Sequence, residues 1–112
     1  YLVADEFLSH LPVDQYPGQA LVCELYTTGN TRCVEIGSVM FGKYNKSGKL
    51  IPAPQELVRL AIPRRVYTQS HIDYVIEVFD EVLKNSKKVK GLKITKEPQF
   101  LRHFTAHFER LK

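Results

Sequence analysis

A chain of 112 residues, 44% apolar and 25% charged, suits one domain with a buried core and excludes a disordered or low-complexity tract. Its net charge of +4 comes largely from lysines between positions 84 and 96, and no apolar run reaches the roughly 18 residues of a membrane-crossing helix. The start Tyr1-Leu2-Val3-Ala4 runs at once into Asp5 and Glu6, unlike a secretory leader, and the absence of an initiator Met suggests a piece of a longer protein.

Along the chain, Tyr1 to Asp5 reads as the tail of a strand and Phe7 to Tyr16 as a connector. Pro17 suits the first turn of a helix, where no amide donor is needed, and Gly29-Asn30 would stop that helix after Thr28. Ala20, Leu21, Cys23 and Leu25 are its candidate buried side. Cys23 and Cys33 are too few for a disulfide scaffold and are read as reduced thiols of a cytoplasmic protein.

Thr31 to Phe41 reads as a strand, with Val34, Ile36, Ser38 and Met40 on one face. Gly37 within it signals a bulge or a close backbone approach. The Pro-, Gly- and Asn-containing stretch from Gly42 to Gln55 is predicted as a long exposed loop. Leu57 to Ile62 returns as a strand antiparallel to the first.

The clearest periodicity belongs to a second helix over about Ser70 to Lys88. Ile72, Val75, Ile76, Phe79, Val82 and Leu83 keep the three-and-four spacing of one buried stripe. Thr68 or Ser70 can cap it, and Lys84, Lys87 and Lys88 close it, as the helix dipole favours. That placement accounts for most of the basic cluster, so neither nucleic acid nor a membrane is expected as a partner. Gly91 precedes a short strand, Leu92 to Lys96. The segment from Gln99 to Leu111 fits a final short helix about as well as extended structure. The resulting order, α-β-β-α-β, predicts a two-layer α+β domain with helices on one face of a small, mostly antiparallel sheet.

One residue resists this plain reading. In Leu57-Val58-Arg59-Leu60-Ala61-Ile62, a single arginine interrupts an apolar strand. A guanidinium needs an anion or a wet face, and its planar fork suits a carboxylate held by two hydrogen bonds. His103 and His107 have the spacing of one helix face, but a metal would need a third ligand, and none is evident nearby. No phosphate loop or nucleophile triad can be assembled.

Larger blocks carry a resemblance. They include Asp14-Gln15-Tyr16-Pro17, Val34-Glu35-Ile36-Gly37-Ser38, Glu56-Leu57-Val58-Arg59-Leu60-Ala61-Ile62-Pro63-Arg64, Tyr67-Thr68-Gln69-Ser70-His71-Ile72-Asp73 and Leu101-Arg102-His103-Phe104-Thr105-Ala106. In that order they resemble the C-terminal part of the β-eliminating lyases, over nearly the whole chain. The resemblance implies a pyridoxal 5'-phosphate enzyme of the aminotransferase type I fold. Residues 1–112 would then be one domain, the C-terminal share of the small domain.

Within that resemblance, Arg59 would grip the substrate α-carboxylate and so orient the Cα–H bond. Two positions separate the family's branches. Tyrosine phenol-lyases carry an arginine where this chain has Ile36, and Phe where it has His103. Ile36 and His103 therefore point to cleavage of L-tryptophan into indole, pyruvate and ammonia. Val34 and Ile36 would line the indole pocket, and His103 would be a catalytic residue that orders the pocket by hydrogen bonding. The cofactor-bearing lysine and the ligands for K+ activation would lie outside the chain, on or beside the large domain of the same polypeptide, in a cytoplasmic homotetramer. Gly18 and His107 depart from the family's usual residues without disturbing these blocks. Tyrosine phenol-lyase activity and a stand-alone, non-catalytic interaction module are the alternatives.

Overall fold

Pro17 and Asn30 bound the first long helix, α2 (Pro17–Gly29), in a computed structural model that describes all residues from Tyr1 to Lys112. Asn30 takes the left-handed conformation, φ 53°, that ends many helices, and its N–H returns to the last turn. Ala20, Leu21 and Leu25 are fully buried, whereas Cys23 is only half-buried.

The second long helix, α4 (Gln69–Lys84), lies across α2. Gly29 permits the crossing: a Cβ there would stand 2.9 Å from Val78 Cγ1, too close for any real side chain. The Tyr74 hydroxyl donates to the Gly29 carbonyl at 3.2 Å across the same junction.

Val78 and Val82, four residues apart, are the buried line of α4. Ile72, Val75 and Phe79 flank it half-buried, and Phe79 meets Phe7 edge-on at 6.2 Å. The predicted stripe was too wide: Ile76 and Leu83 remain exposed, because α4 touches its neighbours along one narrow line.

The helix also stops earlier than its lysines suggested. Residues Ser86–Lys88 form a separate 3-10 turn after Asn85, whose amide donates to the Glu81 carbonyl at 3.0 Å. At its other end Thr68 is the cap. The Thr68 N–H donates to His71 Nδ1 at 3.1 Å, so an imidazole fills the reciprocal half of a capping box.

Three small antiparallel sheets complete the α+β architecture. The first has the order β1 (Leu2–Val3), β5 (Leu57–Arg59), β2 (Val34–Ile36). Its register pairs Leu2 with Val58 and Val3 with Leu57 on one side. On the other it pairs Val34 with Arg59, Glu35 with Val58 and Ile36 with Leu57. Alternation therefore puts Leu2, Val58 and Glu35 on the inner face, against α2, and Val3, Leu57, Ile36, Val34 and Arg59 on the outer face. The core joins Ala4 and Leu8, around the short helix α1 (Ala4–Phe7), to Leu21, Leu25, Val58, Val82 and Leu92.

Three predictions on this half of the chain need correction. The strand expected over Thr31 to Phe41 ends at Ile36, and Ser38–Phe41 coil into one helical turn, α3. The loop expected over Gly42 to Gln55 contains a hairpin, β3 (Lys43–Tyr44) with β4 (Leu50–Ile51). Asn45 Oδ1 organises its turn by accepting from the N–H groups of Ser47 and Lys49 at 3.0 and 2.9 Å. The strand expected to reach Ile62 ends at Arg59.

At the C-terminus, β6 (Leu92–Lys96) pairs with β7 (His107–Arg110). Between them sits one helical turn, α5 (Arg102–Thr105). His103 lies on that turn and His107 on the strand, so the two imidazoles do not share a helix face.

Candidate functional site

The outer face of the three-stranded sheet gathers three of the four predicted site residues. Arg59 stands directly across from Val34, with Ile36 one pair further along the same face. Arg59 is exposed, Val34 is 42% exposed and Ile36 is half-buried. No ion pair or hydrogen bond engages the guanidinium. It projects from the central strand of the sheet beside apolar side chains, with its five donors free for a ligand. The helix α2 packs on the opposite face.

Alternation alone would have buried the two apolar residues of β2. Instead Glu35, between them, is 4% exposed while Val34 faces solvent. The inversion has a cause in α3. Glu35 Oε1 accepts from the Val39 N–H at 3.1 Å and Oε2 from the Met40 N–H at 3.2 Å. Glu56, 2% exposed, accepts from the Ser38 N–H at 3.2 Å and from the Ser38 hydroxyl. Ser38 Oγ in turn accepts from the Ala53 N–H at 3.0 Å. Two buried carboxylates thus satisfy the free N–H groups of one helical turn.

Burial raises both acids above their ordinary range, against the lowering effect of those same hydrogen bonds. Gly37 lies in the notch between them. A Cβ there would collide with Glu56 Oε2 and stand 2.7 Å from Glu35 Oε1, which is the close approach its position in the sequence suggested.

The opposite end of α3 is held by Arg102, 8% exposed, on α5. Its Nε donates to the Val39 carbonyl at 2.6 Å, and its Nη2 donates to the carbonyls of Ser38 and Gly42, the latter at 3.1 Å. Nη1 pairs with Glu97 at 3.0 Å. The guanidinium also lies 5.4 Å over the Tyr44 ring, whose hydroxyl donates to Glu97 at 3.0 Å. All three nitrogens of the fork thus have a partner.

His103, the fourth predicted residue, follows Arg102 on α5. It is half-buried, its ring 4.1 Å from that of Phe104. It lines a cleft of about 300 Å³ with Met40, Gly42, Tyr44, Glu97 and Leu101. No hydrogen bond links it to Arg59. What joins the two places is α3, which leaves β2 at Gly37 and is gripped by the residue before His103. A larger cleft, about 350 Å³, lies between the end of α2, residues 60–62 and the start of α4, and contains none of the four.

Over 111 residues, 99% of its length, the chain is 55% identical to a tryptophanase of Hyphomonas neptunium. It is 49% identical over its whole length to a tryptophanase of Haemophilus influenzae, and 52% identical over 106 residues, 95% of its length, to one of Escherichia coli O157:H7. Along nearly all of its length the chain is thus similar to one part of these tryptophanases. It spans about a quarter of the length of these tryptophanases, 24% of the first two and 22% of the third. No family model matches it. The likeness to tryptophanases runs through both the Arg59 face and the α3–α5 region, since the Haemophilus sequence aligns with all 112 residues.

Sequence reasoning missed Glu35, Glu56 and Arg102. The one available signal was a glutamate on β2 and another just before β5, the first of them beside Gly37-Ser38. That pattern gains meaning only once the register brings Glu35 opposite Val58.

Proposed function

We propose that this chain is the substrate-gripping part of a pyridoxal-phosphate-dependent lyase that cleaves L-tryptophan to indole, pyruvate and ammonia. The observation that carries the reading is the outer sheet face, where an unpaired Arg59 stands across from Val34 and near Ile36 in a chain about half identical to tryptophanases.

On this reading the lysine that carries the coenzyme's aldehyde lies outside these residues; every lysine of the chain is exposed and neither cleft is lined by one. Coenzyme binding and its electron-withdrawing chemistry belong to the rest of the polypeptide, in a large domain that would face this one. Residues 1–112 would be the C-terminal share of the small domain in an aminotransferase type I fold. The same reading carries a K+-activated, cytoplasmic homotetramer.

The chain's own work is recognition. The Arg59 fork would take the α-carboxylate through two parallel hydrogen bonds, fixing the orientation of the neighbouring Cα–H bond. Val34 and Ile36 would bury the indole ring. Ile36 is apolar where a phenol-recognising site would need a hydrogen-bonding or charged group. His103 would supply the polar contact of the pocket.

In the full-length protein, Arg59→Ala is expected to raise KM for tryptophan by about 100-fold, the loss of a charge-assisted pair of hydrogen bonds worth about 2–3 kcal/mol. Unchanged kinetics would refute the assignment. Release of phenol from tyrosine in preference to indole from tryptophan would reassign the chain to the tyrosine phenol-lyase branch.

A further inference from the structure

Two sets of residues that the function requires sit on elements with no direct bond between them. Val34, Ile36 and Arg59 belong to the β2–β5 sheet, and His103 to the one-turn helix α5. A four-residue helix held only by its own hydrogen bonds would fray. The position of His103 must therefore be imposed from outside, and the α3 turn is where this happens.

We propose that Arg102 and Glu35 are positioning residues. Acting through α3, they set His103 against the Val34–Ile36 strand and so determine the fit of the indole ring. Glu35 lies between the two pocket residues of β2 and grips the N–H groups of Val39 and Met40. Arg102 precedes His103 and grips the carbonyls of Ser38, Val39 and Gly42. Val39 is held from both sides, its N–H by Glu35 and its carbonyl by Arg102. Met40, whose N–H Glu35 holds, also lines the His103 cleft. Strand, turn and the residue before the histidine are thus connected by five hydrogen bonds, all buried or partly buried.

Neither residue has a conservative stand-in. Lysine at 102 would keep the charge and could still reach Glu97, but its single nitrogen lacks the planar fork that spans three carbonyls. Glutamine at 35 has one acceptor oxygen for two N–H groups, and its NH2 would face the other donor.

The inference rests on the tryptophan-lyase reading, and the experiment separates the two. Full-length wild type, Arg102→Lys, Glu35→Gln and Arg59→Ala are assayed with L-tryptophan and with S-methyl-L-cysteine, which shares the α-carboxylate but has no ring. Thermal melts are recorded alongside. A displaced pocket wall affects only the ring-bearing substrate. Arg102→Lys and Glu35→Gln are therefore expected to lower kcat/KM for tryptophan by about 10-fold or more, and to leave that for S-methylcysteine within about 3-fold. Arg59→Ala is expected to impair both substrates.

If Arg59→Ala impairs both while Arg102→Lys and Glu35→Gln lower the two substrates equally, or neither, the positioning role is overturned and the parent reading stands. If Arg59→Ala is normal on both, the parent reading falls and this inference with it. Should Glu35→Gln fail to fold, Arg102→Lys alone decides.

Discussion

Two arginines divide the molecule into a finished region and an unfinished one. Around Arg102 every guanidinium nitrogen meets a carbonyl or Glu97, and the side chain is buried. Around Arg59 the strand is equally regular, but the guanidinium is exposed and its neighbours are half-covered apolar residues. The same chemical group is a structural clamp in one place and an unpaired surface charge in the other. The difference is whether the acceptors lie within these residues. A buried charge must find its partners within the fold, whereas an exposed one is solvated and adds little to stability.

The largest effect should separate the two directly. Arg102→Ala removes the buried guanidinium that donates to three carbonyls and pairs with Glu97, and is expected to destabilise the fold by about 3 kcal/mol. Arg59→Ala should change stability by less than about 0.5 kcal/mol, as at most exposed sites. Urea titrations of both variants against wild type make the comparison, and equal losses would break it.

Gly37→Ala comes next. Its methyl would enter the notch between Glu35 and Glu56 and force one carboxylate off the α3 turn, at an expected cost of about 2 kcal/mol. A variant as stable as wild type would mean that the notch is looser than its geometry implies.

A smaller effect concerns acidity. Burial raises Glu35 and Glu56 above the ordinary value of 4.5, so the folded chain holds those protons more tightly than the unfolded chain does. Their contribution to stability is therefore fully present below about pH 4.5. It is lost as the pH rises through the raised folded-state values. Glu35→Gln removes one of the two groups and should flatten that decline relative to wild type. Parallel stability–pH curves would refute the burial argument.

The smallest effect is chemical. Burial pushes the Cys33 thiol up to about 11 and raises Cys23 as well. At pH 8 the thiolate of Cys33 is then about 0.1% populated, and its reaction with a disulfide reagent should be roughly a hundredfold slower than that of a free cysteine.

The sequence made the long elements legible and the short ones obscure. Pro17, Gly29 and Asn30 marked α2 to within one residue, and the spacing through Val75, Phe79 and Val82 marked α4. Leu92–Lys96 emerged with its observed ends. Two-residue strands such as Lys43–Tyr44 and Leu50–Ile51 have too few residues to display a period, and their turn is specified by one Asn side chain.

At the candidate site, Arg59 stood out because a charge in an apolar strand is locally conspicuous. Arg102 did not, because its partners Ser38, Val39 and Gly42 lie about 60 residues away in the chain. The inward turn of Glu35 was illegible for a related reason. Alternation records which residues share a face, and it leaves open which face the protein covers.

Leu101 takes the left-handed conformation, φ 55°, which an L-residue other than glycine or asparagine enters only at a penalty of about 1 kcal/mol or more. It acts as a swivel. Beyond it Arg102 turns inward, while Phe100, Leu101 and Phe104 stand 76%, 64% and 75% exposed. One unfavourable backbone angle thus stands where a buried anchor and three exposed apolar side chains meet. Asparagine at this position would ease the swivel and remove one of those three apolar side chains, giving a chain that holds its shape better and exposes less apolar surface.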